Sequence, residues 1–127
     1  MKRLWIAAAL IALLVVLAAG HVLLLGRFTG QLIGQLEQAE QSISRGDWAE
    51  AQALAGQAWQ SWERQAFYLH TTLHHADIDA VRASFRELLA FLAIREDTAE
   101  CAAVCARLIN QLELLLEAEL PSLKNLL

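Results

Sequence analysis

Residues 4–26 form an apolar run of 23 residues, interrupted only by glycine and one late histidine, His21, directly after the basic start Met1-Lys2-Arg3. At about 1.5 Å per residue a helix of this length crosses a hydrocarbon core of roughly 30 Å. The run therefore predicts a transmembrane helix and places residues 28–127 outside the cytoplasm on a tether. A cleaved secretory signal is the competing reading, with Ala18-Ala19-Gly20 as a small-residue cut. The apolar character resumes at once in Val22-Leu23-Leu24-Leu25, where a mature secreted chain would turn polar, so a retained anchor is expected. Lys2 and Arg3 on the short N-terminal flank, against the single Arg27 beyond the run, put the N-terminus in the cytoplasm. His21 is the one ionisable group within the run. It lies close enough to the outer boundary for a neutral imidazole to tip toward the interface.

The chain then divides into an anchor, residues 1–27, and one domain, residues 28–127. With Lys2, Arg3 and Arg27 set aside, seven basic residues face all fourteen acids, a formal charge of −7. That balance argues against nucleic acid and against docking through clustered cations on anionic headgroups. It does not identify a partner.

Residues 57–120 contain no glycine and no proline, and Ala, Leu, Gln, Glu and Arg dominate. No alternating run suggests a strand. The class is all-α. The first helix after the span covers residues 28–44, with Leu32, Leu36, Ala39 and Ile43 on one face and some bending expected near Gly30 and Gly34. Gly46 suits a left-handed helix end, and Asp47 with Glu50 has capping-box spacing. A second helix, residues 48–74, carries Ala51, Ala55, Ala58, Trp62, Ala66, Leu69 and Leu73 along one stripe. A third, capped by Asp77 or Asp79, carries Ile78, Val81, Phe85, Leu88, Leu89 and Leu92. Asp97 and Glu100 open a fourth, which carries Cys101, Val104, Cys105, Leu108, Leu112, Leu115 and Leu116 and is expected to stop at Pro121. Short turns between amphipathic helices predict an up-down bundle of about four helices.

Chemistry is thinly represented. His70, His74 and His75 on one helix and Cys101 and Cys105 on another have i, i+4 spacings that could supply zinc or copper ligands. In an up-down bundle, however, the two groups begin near opposite ends of a helix about 25 Å long, so neither a metal nor another cofactor is expected. A Cys101–Cys105 disulfide on a regular helix would be strained. Asp77 and Asp79 are explained by capping, and Glu113, Glu117 and Glu119 by a solvated face. No phosphate loop, zinc-protease or serine-hydrolase motif is present, and no enzymatic activity is expected. The aromatic group Trp59, Trp62, Phe67 and Tyr68 reads mainly as core and alternatively as the lining of a ligand groove.

Taken in order, Gly46-Asp47-Trp48-x-x-Ala51, Trp62, Tyr68, His75-Ala76-Asp77-Ile78-Asp79, the helix from Phe85 to Leu92, Glu96-Asp97 and the ending Ser122-Leu123-Lys124-Asn125-Leu126-Leu127 resemble a family known only as a domain of unknown function. Its members are short single-pass proteins of Gram-positive, often spore-forming bacteria. The resemblance implies a membrane-attached helical domain and supplies no activity, cofactor or catalytic residue; the cysteine pair departs from the pattern.

The sequence thus predicts a non-enzymatic, membrane-anchored extracytoplasmic bundle of the bacterial cytoplasmic membrane that binds another protein, in an envelope or sporulation assembly. Leu123, Leu126 and Leu127 are the expected contact surface unless they fold back onto the bundle, which is the default. The alternative is a ligand-binding or sensing bundle using Trp59, Trp62 and Tyr68, with His70 or His74 as polar anchors.

Overall fold

The structure, a computed structural model, describes all residues except His74, Glu96 and Leu127, and leaves out the side chains of Thr72 and residues 119–126. All five of its regular elements are helices: α1 (Lys2–Ser44), α2 (Trp48–Arg64), α3 (Ala66–Thr72), α4 (His75–Ile94) and α5 (Thr98–Leu126).

The apolar run and the first helix of the bundle are one element. α1 continues unbroken through Gly20, Gly26, Gly30 and Gly34 for 43 residues, about 65 Å. Gly30 and Gly34 do not interrupt it, because each glycine costs only about 1 kcal/mol and packing on both sides holds the helix. Packing also starts earlier than residue 28. Leu25 is already core, followed by Thr29, Leu32, Leu36, Ala39 and Ile43 on the same face.

α1 ends in a Schellman motif. The Asp47 N–H donates to the Ser42 carbonyl at 2.8 Å and the Gly46 N–H to Ile43 at 3.0 Å, with Gly46 at φ +75°. Asp47 then caps α2, its carboxylate accepting from the Glu50 N–H at 3.3 Å. The α4–α5 turn repeats the device: Asp97 accepts from the Ala99 and Glu100 N–H groups at 2.9 and 3.4 Å. Here Arg95, not glycine, takes the left-handed conformation, at φ 57°.

Three expectations are corrected. The single helix over residues 48–74 is two, divided at Gln65, where ψ opens to 2°. The division lets Leu69 and Leu73 close the bottom of the core while Phe67 and Tyr68 stay outside. α4 starts at His75, ahead of the Asp77 or Asp79 cap. α5 does not stop at Pro121 but runs to Leu126. A proline removes one N–H and crowds one carbonyl, which disturbs a helix locally without obliging the chain to leave it.

α1, α2 together with α3, α4 and α5 alternate in direction around a single core of Leu36, Ile43, Trp62, Phe85, Leu88, Leu92, Leu108 and Leu112. Ala51, Ala55 and Ala58 let α2 approach α1 closely. Aromatics fill the remaining volume: Trp62 stacks on Phe28 (ring centroids 6.4 Å) and tilts against Phe85 (6.0 Å), which also meets Trp59 (5.5 Å).

Contacts between antiparallel helices fix their levels. The Cys105 thiol donates to the Leu36 carbonyl at 3.1 Å, and a Cβ at Gly26 would lie 3.9 Å from Leu116 Cδ1. At this register the last turn of α5 comes level with about residue 16 of α1. On the other side Trp62 is level with Phe28, and Tyr68 with His21. Val15, Ala18, Ala19 and Val22 are accordingly half-covered, while residues 3–14 are exposed on every side. The bundle therefore overlaps the C-terminal part of the apolar run. We call the end from which residues 3–14 project the basal pole, and the end with the two capped turns the distal pole.

Candidate functional site

The sequence-derived candidates do not form one site. Trp62 is core, 1% exposed, held between Phe28 and Phe85. Trp59 is half-buried against Phe85. Tyr68 sits on α3 at the surface, its hydroxyl hydrogen-bonded to His21 Nδ1. The space beside Tyr68, between Leu24, Leu25, Phe28, Gln65 and Leu69, is ≈ 50 Å³, room for a few waters. Small-molecule pockets are typically several times larger, at about 300 Å³ and above. Leu123 and Leu126 belong to the last turns of α5, with side chains outside the description; Leu127 lies outside the described residues altogether.

The histidines and cysteines are separated as the antiparallel topology requires. His70 Nδ1 and His75 Nδ1 approach to 3.4 Å across the α3–α4 turn at the basal pole, and His74 lies outside the described residues. Cys101 and Cys105 are buried thiols in the distal half of α5. Among the described residues no three His, Cys, Asp or Glu side chains converge on a point. Burial pushes the Cys105 thiol up to about 12, with the Glu40 carboxylate and Cys101 adding to it. Cys101 is raised by burial first, then by Asp97 and Glu100. Both are poor nucleophiles, since the thiolate is the reactive form.

Two features escape the sequence reading. At the distal pole Phe91, Ile94, Asp97, Glu100 and Cys101 line an open cleft of ≈ 260 Å³, with Ile94 61% exposed on its rim. At the basal pole α3 presents Phe67 84% exposed, at the level where Leu23 and Leu24 of α1 are also exposed. A sequence signal for the second does exist. Residues 65–76, which contain α3 and the turn after it, hold no Asp, Glu, Lys or Arg.

A family model for a domain of unknown function, DUF4363, matches residues 22–126. The chain belongs to this family. The match begins at Val22, inside the apolar run, in keeping with a domain whose packing starts before the run ends. No curated protein and no solved structure matches the chain. Membership of DUF4363 brings no activity with it, so function rests on what the fold exposes and where.

Proposed function

We propose that this DUF4363 protein is a non-enzymatic, membrane-anchored extracytoplasmic domain that acts by binding another protein, in an envelope or sporulation assembly. The observation that carries the reading is the projecting part of α1. Leu4, Trp5, Ile6, Leu10, Ile11, Leu13 and Leu14 are exposed around the whole circumference of the helix. An apolar helix with no protein cover on any side has a lipid environment as its natural solvent. Lys2 and Arg3 at its start support a cytoplasmic N-terminus. Retention, rather than cleavage after Ala18-Ala19-Gly20, is supported by what cleavage would remove: half-covered Val15, Ala18 and Ala19, and the turn of helix that presents His21 to Tyr68. Partner binding is supported by the rim of the distal cleft, where Phe91 and Ile94 offer apolar surface between the carboxylates of Asp97 and Glu100.

The test is crosslinking in native membranes followed by mass spectrometry, with intact mass of the same material. The reading expects an uncleaved chain in the membrane fraction, resistant to alkaline extraction, with crosslinks to a partner that map to the distal pole and are lost in Ile94→Glu. A mature start at His21, or release of the protein at alkaline pH, would sink the anchor. Crosslinks unchanged by Ile94→Glu would move the partner site elsewhere.

A further inference from the structure

We propose that the basal pole is seated in the outer leaflet of the phospholipid bilayer, with α3 as its docking element and Phe67 and Tyr68 as the side chains at its hydrocarbon boundary. This rests on the membrane-anchored reading above and deepens it: the bundle stands in the lipid interface and not on a stalk above it.

Length is the first argument. Only residues 4–14 of the apolar run are free of the bundle, about 16 Å of helix, roughly half of a hydrocarbon core. If the bundle stayed wholly in water, the anchor would be too short to span. With the outer hydrocarbon boundary near His21, residues 4–20 give 17 residues, at the short end of spanning helices, and modest thinning of the bilayer absorbs the rest. That placement puts the tip of the basal pole, level with about residue 16 or 17 of α1, some 6 Å below the boundary. Interfacial helices sit at a similar depth, about 5–10 Å.

Composition follows the same levels. On the α3 side the tip carries no formal charge from Gln65 to Leu73, and its exposed aromatics are the kind that favour the interface, while the last turns of α5, which reach the same level, bring Lys124. The hydrogen bond between Tyr68 and His21 holds α3 against α1 at the level of the boundary, satisfying a polar atom of each where water is scarce. The acids Asp77, Asp79 and Glu117 lie one to two turns above the tip, in the headgroup layer. At the top of that layer Arg27, Arg64 and Arg82, one each from α1, α2 and α4, are exposed at a common level where lipid phosphates would be. The register sets Arg82 there because Phe85, one turn above it, is level with Trp59 and Trp62.

The experiment reconstitutes the full chain into vesicles of phosphatidylethanolamine and phosphatidylglycerol and spin-labels single cysteines introduced as Phe67→Cys, Thr71→Cys and, at the distal pole, Ala49→Cys. All three positions are exposed, so labelling should spare the fold, and the native thiols are buried. Each label is read for its accessibility to oxygen, which partitions into lipid, against a water-soluble nickel chelate. We expect several-fold higher oxygen-to-nickel ratios at 67 and 71 than at 49, with no dipolar broadening between labels at high lipid-to-protein ratio. A ratio at 67 equal to that at 49, in protein that floats with the vesicles, would overturn the seating and leave the anchor standing. Failure to float would overturn both. Shielding at 67 accompanied by dipolar broadening would assign the surface to a second copy of the chain and overturn the bilayer as its occupant.

Discussion

The two poles of the bundle reverse the chain with opposite materials. At the distal pole both turns are charged, tightly hydrogen-bonded and capped: Arg45-Gly46-Asp47 closes a Schellman motif, and Asp97 caps α5 after left-handed Arg95. At the basal pole α3 leads into α4 through residues without formal charge, and Phe67 of α3 stands exposed. Water makes the difference intelligible. Distal helix ends leave backbone groups that charged and polar side chains satisfy cheaply in solvent. On the seating proposed above, the α3–α4 turn meets lipid, where charge is costly.

The largest expected contrast is in reactivity. The Cys105 thiol, at about 12 against an ordinary 9.0, should be labelled at pH 8 about 1,000-fold more slowly in the folded than in the unfolded chain, as thiol counting with and without denaturant would show. The sign of the linked pH effect follows. The folded state keeps its proton where the unfolded state loses it, so this contribution to stability is intact below about pH 9 and declines from there toward 12. Rapid labelling of the folded protein at pH 8 would show that the distal half of α5 opens to solvent.

Next in size is Trp62→Ala, which removes the ring joining α1, α2 and α4 at the basal half and should cost about 3–5 kcal/mol in chemical unfolding in detergent. A loss below about 1 kcal/mol would mean that the basal half tolerates a cavity and packs loosely. At the distal pole Gly46→Ala should cost about 1–2 kcal/mol, because alanine resists φ +75°. Two smaller substitutions should stabilise. The Thr29 hydroxyl is buried without a hydrogen-bond partner among the described residues, so Thr29→Val should gain about 1 kcal/mol. Arg95→Gly relieves a left-handed arginine and should gain about 0.5 kcal/mol after the entropic cost of glycine. If Thr29→Val destabilised instead, the hydroxyl would have a partner in solution.

Much of the fold was legible because helical rules are local. The 4-3-4 spacing of Leu32, Leu36, Ala39 and Ile43, the glycine at the α1 end and the acids at both distal caps each report on a few neighbouring residues, and all reappear in the structure. The candidate site was less legible. Trp62 falls on the core stripe and Trp59 beside it, as the helical period places them, whereas the exposure of Phe67 and Tyr68 on a separate short helix follows the division at Gln65. No single-residue propensity marks that division.

By itself the sequence determined the helical class, the separation of a long apolar run from an acidic remainder, the position of the distal turns and the absence of a familiar catalytic motif. These follow from composition, periodicity and capping, which are properties of adjacent residues. Only the tertiary structure decided where the apolar run stops being free. The overlap of the bundle with residues 15–26 depends on the register of α1 against α5 and α3, set by contacts such as Leu36 with Cys105 and His21 with Tyr68, far apart along the chain. An apolar helix reads the same in sequence whether protein or lipid covers it, since both offer the same escape from water.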